Sequence, residues 1–454
     1  MFSCRLLIRI TDTGGFRNIY RSLNVASGQS PIFKPRTALI LAKLSKYDCE
    51  KSSENYLNDD QLRKSVEKKG FNAQLLIARH ETHYAKLSEL LSALKEHGLK
   101  VHVVDRRSYS LDSVSWADVV FTAGGDGTFL LGASKILHPN KPVIGFNTDP
   151  SFSHGFLCLP KWCSLNVSTA VDLLLSNHFR WLRRQRIRVT LTHSKSEQLK
   201  VQPLDKNKPI NQDSYEIGVS NDSLDLSACQ LFPSSYSPAD MTTTVLPVFA
   251  LNEVFAGESL SACVSVYDIS VDGKKSEKQK SSGVVISTGT GSTSWSQQIN
   301  KISKSNIMEL LKIVQQINPS FSISQSEDRI SSLHRNGQHS SYSNLSDNSK
   351  LSNNSSLELL TEMTETMYSE SLIFDPEDCK MMYTVRDPLN NAIFKVTHSR
   401  GFTSNLYIRS LMDDGHLVFD SGLTFPFHQA PLQSLQYFLL IHCVVFSLMS
   451  HVEK

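Results

Sequence analysis

Metal-site spacing is missing from this chain. Its eight cysteines are scattered, at 4, 49, 158, 163, 229, 263, 379 and 443, with no CxxC pair and no Cys/His group at zinc intervals. Reduced, structural cysteines in a reducing compartment are therefore expected, with no metal held by the protein itself. No apolar run reaches the ~20 residues of a bilayer span. The most apolar stretch, 435–449, is interrupted by Gln436, His442 and Ser447. Membrane contact is not expected. No long Lys/Arg block occurs and the net charge is only +3, so nucleic acid is not an expected partner. Three nucleotide motifs are also missing: GxxxxGKS/T, GxGxxG, and the HRD and DFG pair. Their absence excludes a P-loop, a dehydrogenase fingerprint and a protein kinase. No internal repeat is found.

Acids are nearly absent from the first 36 residues. Asp12 stands alone there among Arg5, Arg9, Arg17, Arg21, Lys34 and Arg36. Basic, serine-containing and acid-poor describes a mitochondrial transit peptide, with a disordered basic tail as the alternative. The 454 residues as a whole are 40% hydrophobic and 20% charged, which suits a soluble protein of two domains.

Strand and helix signals alternate from 37 onward. TALILAKL at 37–44 predicts a buried strand. Leu87, Leu90, Leu91 and Leu94 share one helical face, and Gly98 stands at the stop position. Residues 99–104, 118–123 and 142–146 predict three more strands, and 129–137 a helix. Such alternation predicts an α/β domain over 37–186, with a parallel, Rossmann-like sheet. After about 186 the segments become short and β-branched, at 187–191, 263–271 and 284–287. A mostly β second domain over 187–430 is expected. Two polar stretches, 194–244 and 318–354, read as surface insertions with little to bury. Residues 431–454 form an apolar tail.

The chemistry centres on Gly124-Gly125-Asp126-Gly127-Thr128, between a predicted strand and a predicted helix. Ligands bind at the carboxyl ends of parallel strands, where glycines and a helix N-terminus suit a phosphate. An anionic Asp126 in such a cradle needs a chemical role. Accepting a proton from an attacking hydroxyl is one; capping the helix is the bland alternative. Asn252-Glu253 follows a strand-like VFAL and offers groups for a ribose diol, or else forms a turn. Residues 287–295, STGTGSTSW, supply many donors for a phosphate or a base, or else a flexible linker. Trp295 fits stacking on a base and burial in a core equally well.

GGDGT resembles a superfamily that includes NAD kinases, diacylglycerol and sphingosine kinases and, more distantly, phosphofructokinases. Downstream segments select among these. Gly145 to Pro150 (GFNTDP), then Gly155-Phe156-Leu157, Asn252-Glu253 and 287–295 are similar in order and spacing to the NAD kinase family. The likeness covers roughly 36–193, 246–303 and 372–425. Gly289 stands where the family usually has proline, Trp295 where it has tyrosine, and Ser282 where many members have Asp. With the wording NTDP, ALNEVF and EKQKSSG, these departures resemble the mitochondrial branch.

The resemblance implies a kinase that phosphorylates the 2′-hydroxyl of the adenosine ribose of NAD. ATP with Mg2+ is the implied donor, polyphosphate a possible one, and NADH a possible acceptor. It implies Asp126 as catalytic base, and Gly124, Gly125, Gly127 and Thr128 as the phosphate loop. Asn147, Asn252, Glu253, Thr290, Gly291, Ser292, Thr293, Ser294 and Trp295 are implied at the NAD site. A homodimer in the mitochondrial matrix is implied as well. A lipid kinase and an inactive NAD-binding protein are the competing readings. Residues 418–422 (VFDSG) resemble the family's late Asp-Gly segment, but the likeness fades from about 426. A chain ending at Ala430 is therefore expected to remain active.

Overall fold

The computed structural model describes residues 33–53, 59–194, 202–203, 241–260, 262–318, 353–420, 422–427, 438–445 and 448–451. The transit-peptide reading of 1–36 falls almost entirely outside these residues, as do most of both polar insertions.

Strand β1 (Thr37–Ala42) leads into α1 (Lys46–Ser53), α2 (Asp59–Lys68) and α3 (Ala73–Glu96). Then come β2 (Lys100–Val104), α4 (Leu111–Trp116), β3 (Val119–Ala123), α5 (Asp126–Ser134) and β4 (Val143–Phe146), followed by α6 (Lys161–Leu165) and α7 (Val167–Leu175). The four strands are parallel, in the order β2-β1-β3-β4. Alternation along the strands feeds two cores. Ala38, Ile40, Phe121 and Ile144 pack with Leu90 and Leu94 of α3 and Val171 and Leu174 of α7. Leu39, Leu41, Val120 and Val143 pack on the other face, with Phe129 and Ala133 of α5. Such two-sided burial is why β1, β3 and β4 read as unbroken apolar runs, whereas the edge strand β2 is largely exposed. Helix α3 is longer than its apolar face suggested. It starts at an Asn72 cap, whose side chain accepts from the Leu75 N–H at 3.0 Å.

The second half opens with β5 (Arg180–Leu182), β6 (Gln185–Ser194), β7 (Gln202–Pro203), β8 (Met241–Ala250), β9 (Glu253–Glu258), β10 (Ser265–Val271), β11 (Glu277–Ser281) and β12 (Val284–Ser287). A short 3-10 turn (Gly291–Thr293) and α8 (Trp295–Asn300) follow. Next come α9 (Lys304–Ile317) and α10 (Asn353–Ser371). Finally β13 (Met381–Val385), β14 (Arg400–Thr403), β15 (Asn405–Ser410), β16 (Gly415–Phe419), β17 (Leu423–Pro426), β18 (Phe438–Val445) and β19 (Leu448–His451) complete the chain. Most of these strands form two antiparallel sheets, ordered β11-β10-β15-β18-β6-β8 and β14-β13-β12-β9-β16-β17-β7. Both sheets contribute to one core, for example Ile187, Val189 and Ile408 from the first, and Val254, Ile286 and Phe425 from the second. The α/β plus mostly β architecture agrees with the sequence reading.

Three details differ from it. The 194–244 insertion ends sooner, because 241–244 already belong to β8. Thr243 and Thr244 are buried and meet Thr192 and His193 across the strands, at 3.3 and 3.0 Å. β-branched side chains with hydrogen-bonding hydroxyls suit that cross-strand role. The stretch around 318–354 is flanked by helices α9 and α10, which fall in a compact unit separate from the rest of the described chain. Lys301, just before α9, and Lys304, its first residue, pair there with Glu365 and Glu362 of α10, at 3.1 and 3.3 Å.

The third difference is the tail. β18 lies between β15 and β6, antiparallel to both, and β19 pairs with β5. Ending the chain at Ala430 would thus remove an interior strand and expose the ladder edges of β15 and β6. Contrary to the sequence-based expectation, a 37–430 chain should aggregate or lack a cooperative thermal transition. Size-exclusion chromatography and thermal unfolding beside 37–454 check this. A soluble, cooperatively folding 37–430 would remove β18 from the core.

Candidate active site

β3 ends at Ala123, and the chain turns at once into α5. The Gly124 N–H donates to the Phe146 carbonyl at 3.0 Å and the Lys43 N–H to the Ala123 carbonyl at 2.9 Å. A Cβ on Gly124 would stand 2.3 Å from Thr128 Oγ1 and 3.1 Å from Lys43 Cβ, so only glycine fits that turn. Gly125 is the helix cap and contributes no side chain to it. Asp126 is the first helical residue, and it does not cap its own helix. Its Oδ1 accepts from the Leu157 N–H at 2.8 Å and its Oδ2 from the Phe156 N–H at 3.1 Å. The carboxylate is thus oriented by another loop, and each oxygen keeps a second lone pair for a substrate hydroxyl. Gly127 is exposed and Thr128 half-buried.

That other loop is built around Asn147. Its Nδ2 donates to the Ser153 carbonyl at 2.9 Å, and its Oδ1 accepts from the Asp149 N–H at 3.0 Å and Ser153 Oγ at 3.2 Å. Asn147 is buried, and its hydrogen bonds serve the turn that leads to Phe156 and Leu157.

Asn252 and Glu253 sit where β8 passes into β9. A buried carboxylate, Asp420, gathers three successive backbone N–H groups there, from Leu251 at 2.7 Å, Asn252 at 2.8 Å and Glu253 at 3.1 Å. Asn252 Nδ2 donates to Ser294 Oγ at 3.2 Å, while its Oδ1 and Glu253 Oε2 are buried without a hydrogen-bond partner among the described residues. Burial, then the neighbouring Asp420, pushes the Glu253 carboxyl up to about 8. Burial raises Asp420 too, but its three N–H donors and the charge of Arg186 oppose the shift. Both carboxyls are thus held toward their protonated forms, and the three N–H donors on Asp420 favour Glu253 as the site of the proton.

The 287–295 segment is a buried, tightly bonded turn, not a linker. The Thr288 hydroxyl donates to the Leu251 carbonyl and accepts the Gly291 N–H at 3.1 Å. Ser292 Oγ donates to the Gly289 carbonyl at 2.6 Å and accepts the Phe374 N–H at 3.2 Å. Thr293 Oγ1 donates to the Thr290 carbonyl at 3.2 Å. Gly289 has a packing reason: a Cβ there would lie 2.0 Å from the Asp375 carbonyl oxygen, so the family's proline could not fit unchanged. Trp295 is half-buried, 5.6 Å from the Phe255 ring centroid, with the Arg386 guanidinium 5.4 Å from its own. Arg184 joins the two halves of the site. Its Nη1 donates to Thr290 Oγ1 at 3.2 Å, and its charge and that of Asp126 both act on the buried Cys158 thiol, which burial raises to about 12.

Among curated proteins, the chain is 34% identical over 422 residues to "NAD kinase 2, mitochondrial" of Rattus norvegicus, covering 90% of this chain and 88% of that one. This chain belongs to the NAD kinase family. The Homo sapiens and Xenopus tropicalis proteins of the same name are each 34% identical, over 411 and 432 residues. They cover 89% and 91% of this chain and 82% and 91% of their own lengths. No family profile matches. Among solved structures, yeast NADH kinase complexed with NADH gives a TM-score of 0.42 at 15% identity, over 93% of this chain and 84% of that one. An NAD kinase from Archaeoglobus fulgidus in complex with ATP gives 0.38 at 12%, over 91% and 92%. Family membership sets the lipid-kinase reading aside.

Sequence reading missed Asp420 as the organiser of 251–253, Arg184 as the bridge, and the Lys43, Arg79 and Asp149 group beside the GGDGT loop. Asp149 and Asp420 stand in the GFNTDP and VFDSG segments, but each of these residues acts on partners distant in the chain, which no local pattern reveals.

The raised Glu253 gives a pH prediction. Its folded-state value lies above the ordinary 4.5, so the folded protein keeps a proton that the unfolded chain releases. The contribution to stability is full below about 4.5 and is lost as pH rises through about 8. Glu253→Gln mimics the protonated form. It should match wild type at pH 5 and melt higher at pH 8.5. Thermal unfolding without nucleotide checks this; a Tm difference independent of pH would contradict it.

Proposed function

We propose that this chain transfers the terminal phosphoryl group of ATP to the 2′-hydroxyl of the adenosine ribose of NAD, with Asp126 as the base. The observation that carries this is the Asp126 carboxylate itself. It stands at the N-terminus of α5 and the carboxyl end of β3, and two N–H groups from the 145–157 segment aim it. The proton of the 2′-hydroxyl passes to Asp126, the ribose oxygen bonds to the terminal phosphorus, and the bond to the bridging oxygen of ADP breaks. The products are NADP and ADP. Phosphoryl transfer of this kind depends on positioning and on neutralising charge. Magnesium comes with ATP and offsets the charge of its phosphates.

On the acceptor side, the open acceptors of Asn252 and Glu253 suit the hydroxyls and amide groups of NAD. A Glu253 that keeps its proton can also donate to a ribose oxygen. Thr290, Gly291, Ser292, Thr293, Ser294 and Trp295 belong to the same side. Gly124, Gly125, Gly127 and Thr128 form the donor side, and Asn147 acts by holding the turn at 149–153. A homodimer working in the mitochondrial matrix completes the proposal. The relatives' mitochondrial name and the acid-poor residues 1–36 support the location.

Asp126→Asn should lower kcat for NADP formation by about 10²–10⁴-fold while NAD binding by calorimetry survives. The amide oxygen can accept fully from only one site, so Tm should fall as well. A kcat within tenfold of wild type would remove the base assignment. For the location, residues 1–36 fused to a fluorescent reporter should direct it to mitochondria, and glutamates at Arg5, Arg9, Arg17 and Arg21 should abolish import. A cytosolic reporter carrying the native segment would contradict the matrix proposal.

A further inference from the structure

Beside the GGDGT loop lies a group of charges with no part in the assignments above. The strand order β2-β1-β3-β4 reverses direction between β1 and β3, and ligands of open parallel sheets enter at such a point. Lys43 follows β1 and Gly124 follows β3, so these two residues flank that crevice. From α3, in the crossover between β1 and β2, Arg79 reaches over to the chain after β4. Its Nε donates to Asp149 Oδ2 at 2.7 Å, and Lys43 Nζ stands 3.9 Å from the same oxygen. Asp149 is only 4% exposed. It begins the turn whose Ser153 Oγ would lie 3.7 Å from a Cβ on Gly125. The cluster is therefore built against the loop that bears Asp126.

Arg79 is held in a particular way. Its Nε is fixed by Asp149, and its guanidinium carbon lies 4.6 Å from the centroid of the Phe152 ring, itself 55% exposed. Among the described residues its Nη1 and Nη2 form no hydrogen bond. A planar fork is thus oriented with its terminal donors open. One carboxylate also faces two cations. Nearby His83 adds no charge at neutral pH, because burial and then Lys43 push its value down to about 4. Burial lowers the Lys43 pKa and Asp149 opposes that shift, so Lys43, Arg79 and Asp149 together are net positive, and a forked guanidinium with an adjacent ammonium matches phosphate oxygens.

We propose that Arg79 and Lys43 clamp the terminal phosphates of the phosphoryl donor, with Asp149 and Phe152 as positioning residues for the guanidinium. This rests on the phosphoryl-transfer reading above. The pyrophosphate of NAD offers the same chemistry. The donor is favoured because Asn252, Glu253 and the 287–295 turn already serve the acceptor.

The test uses the full chain and two readouts. One is the KM for ATP at saturating NAD, with the reciprocal KM for NAD. The other is calorimetric binding of inorganic tripolyphosphate without NAD. Arg79→Met and Lys43→Met should each raise the KM for ATP by about tenfold to a hundredfold and weaken tripolyphosphate similarly. The KM for NAD should stay within about threefold, since the clamp's charge-assisted bonds go to the donor. Arg79→Lys, which keeps charge without the fork, should fall between. Should Arg79→Met fail to fold, Phe152→Leu on the exposed ring still reads the clamp, with a KM for ATP about threefold higher. An unchanged KM for ATP in these variants, or a rise confined to NAD, overturns the proposal. A wild type that makes no NADP, yet binds tripolyphosphate through Arg79, would sink the kinase reading and keep the clamp as a polyphosphate site. NADP formation with Arg79-independent tripolyphosphate binding would sink the clamp alone.

Discussion

Two backbone N–H groups, from Phe156 and Leu157, hold the Asp126 carboxylate away from its own helix and toward the ligand side of the sheet. Had Asp126 capped α5, its oxygens would have been occupied by the helix backbone and the loop would have been a plain turn. Delivering those two N–H groups requires the 147–157 segment to fold back from β4 over the loop after β3. Asn147 makes that fold by bonding both ends of the turn at 149–153. Asn147 depends in turn on the register of β4 beside β3. The Asp126 carboxylate is thus aimed by the parallel sheet through a single short relay.

The β-rich half solves the same problem with one buried carboxylate. Asp420 collects the N–H groups of 251–253 and so fixes where Asn252 and Glu253 leave β8. The cost is a second acid in a low-dielectric setting, where burial and the neighbouring Asp420 raise the Glu253 pKa and so disfavour two adjacent buried charges. Arg184, bonded to Thr290 and felt electrostatically with Asp126 at Cys158, connects the two halves. The two solutions share a logic: a carboxylate far along the chain satisfies successive backbone N–H groups of a loop.

Much of the α/β half was legible because β1, β3 and β4 are buried on both faces and read as short apolar runs. GGDGT was legible for the same reason, standing between such a run and a helix. The supports were not. Asp420 reaches residues 167 to 169 positions away, and Arg79 reaches Asp149 across 70. Neither lies in a local pattern that periodicity can show. The tail misled for a related reason. An interior strand at the end of a chain has the same apolar texture as a segment with nothing to pack against, and only the pairing of β18 with β15 and β6 tells them apart. Helices α9 and α10 escaped notice because the polar residues between them dominated the composition of the region.

The claim that joins these features is that a substrate hydroxyl is phosphorylated at the Asp126 loop. Its most direct test is to incubate the full chain with NAD, ATP and magnesium and to identify the product with an NADP-specific dehydrogenase. NADP and ADP should form in equal amounts. ATP hydrolysis without NADP, or NAD binding without turnover, would contradict it.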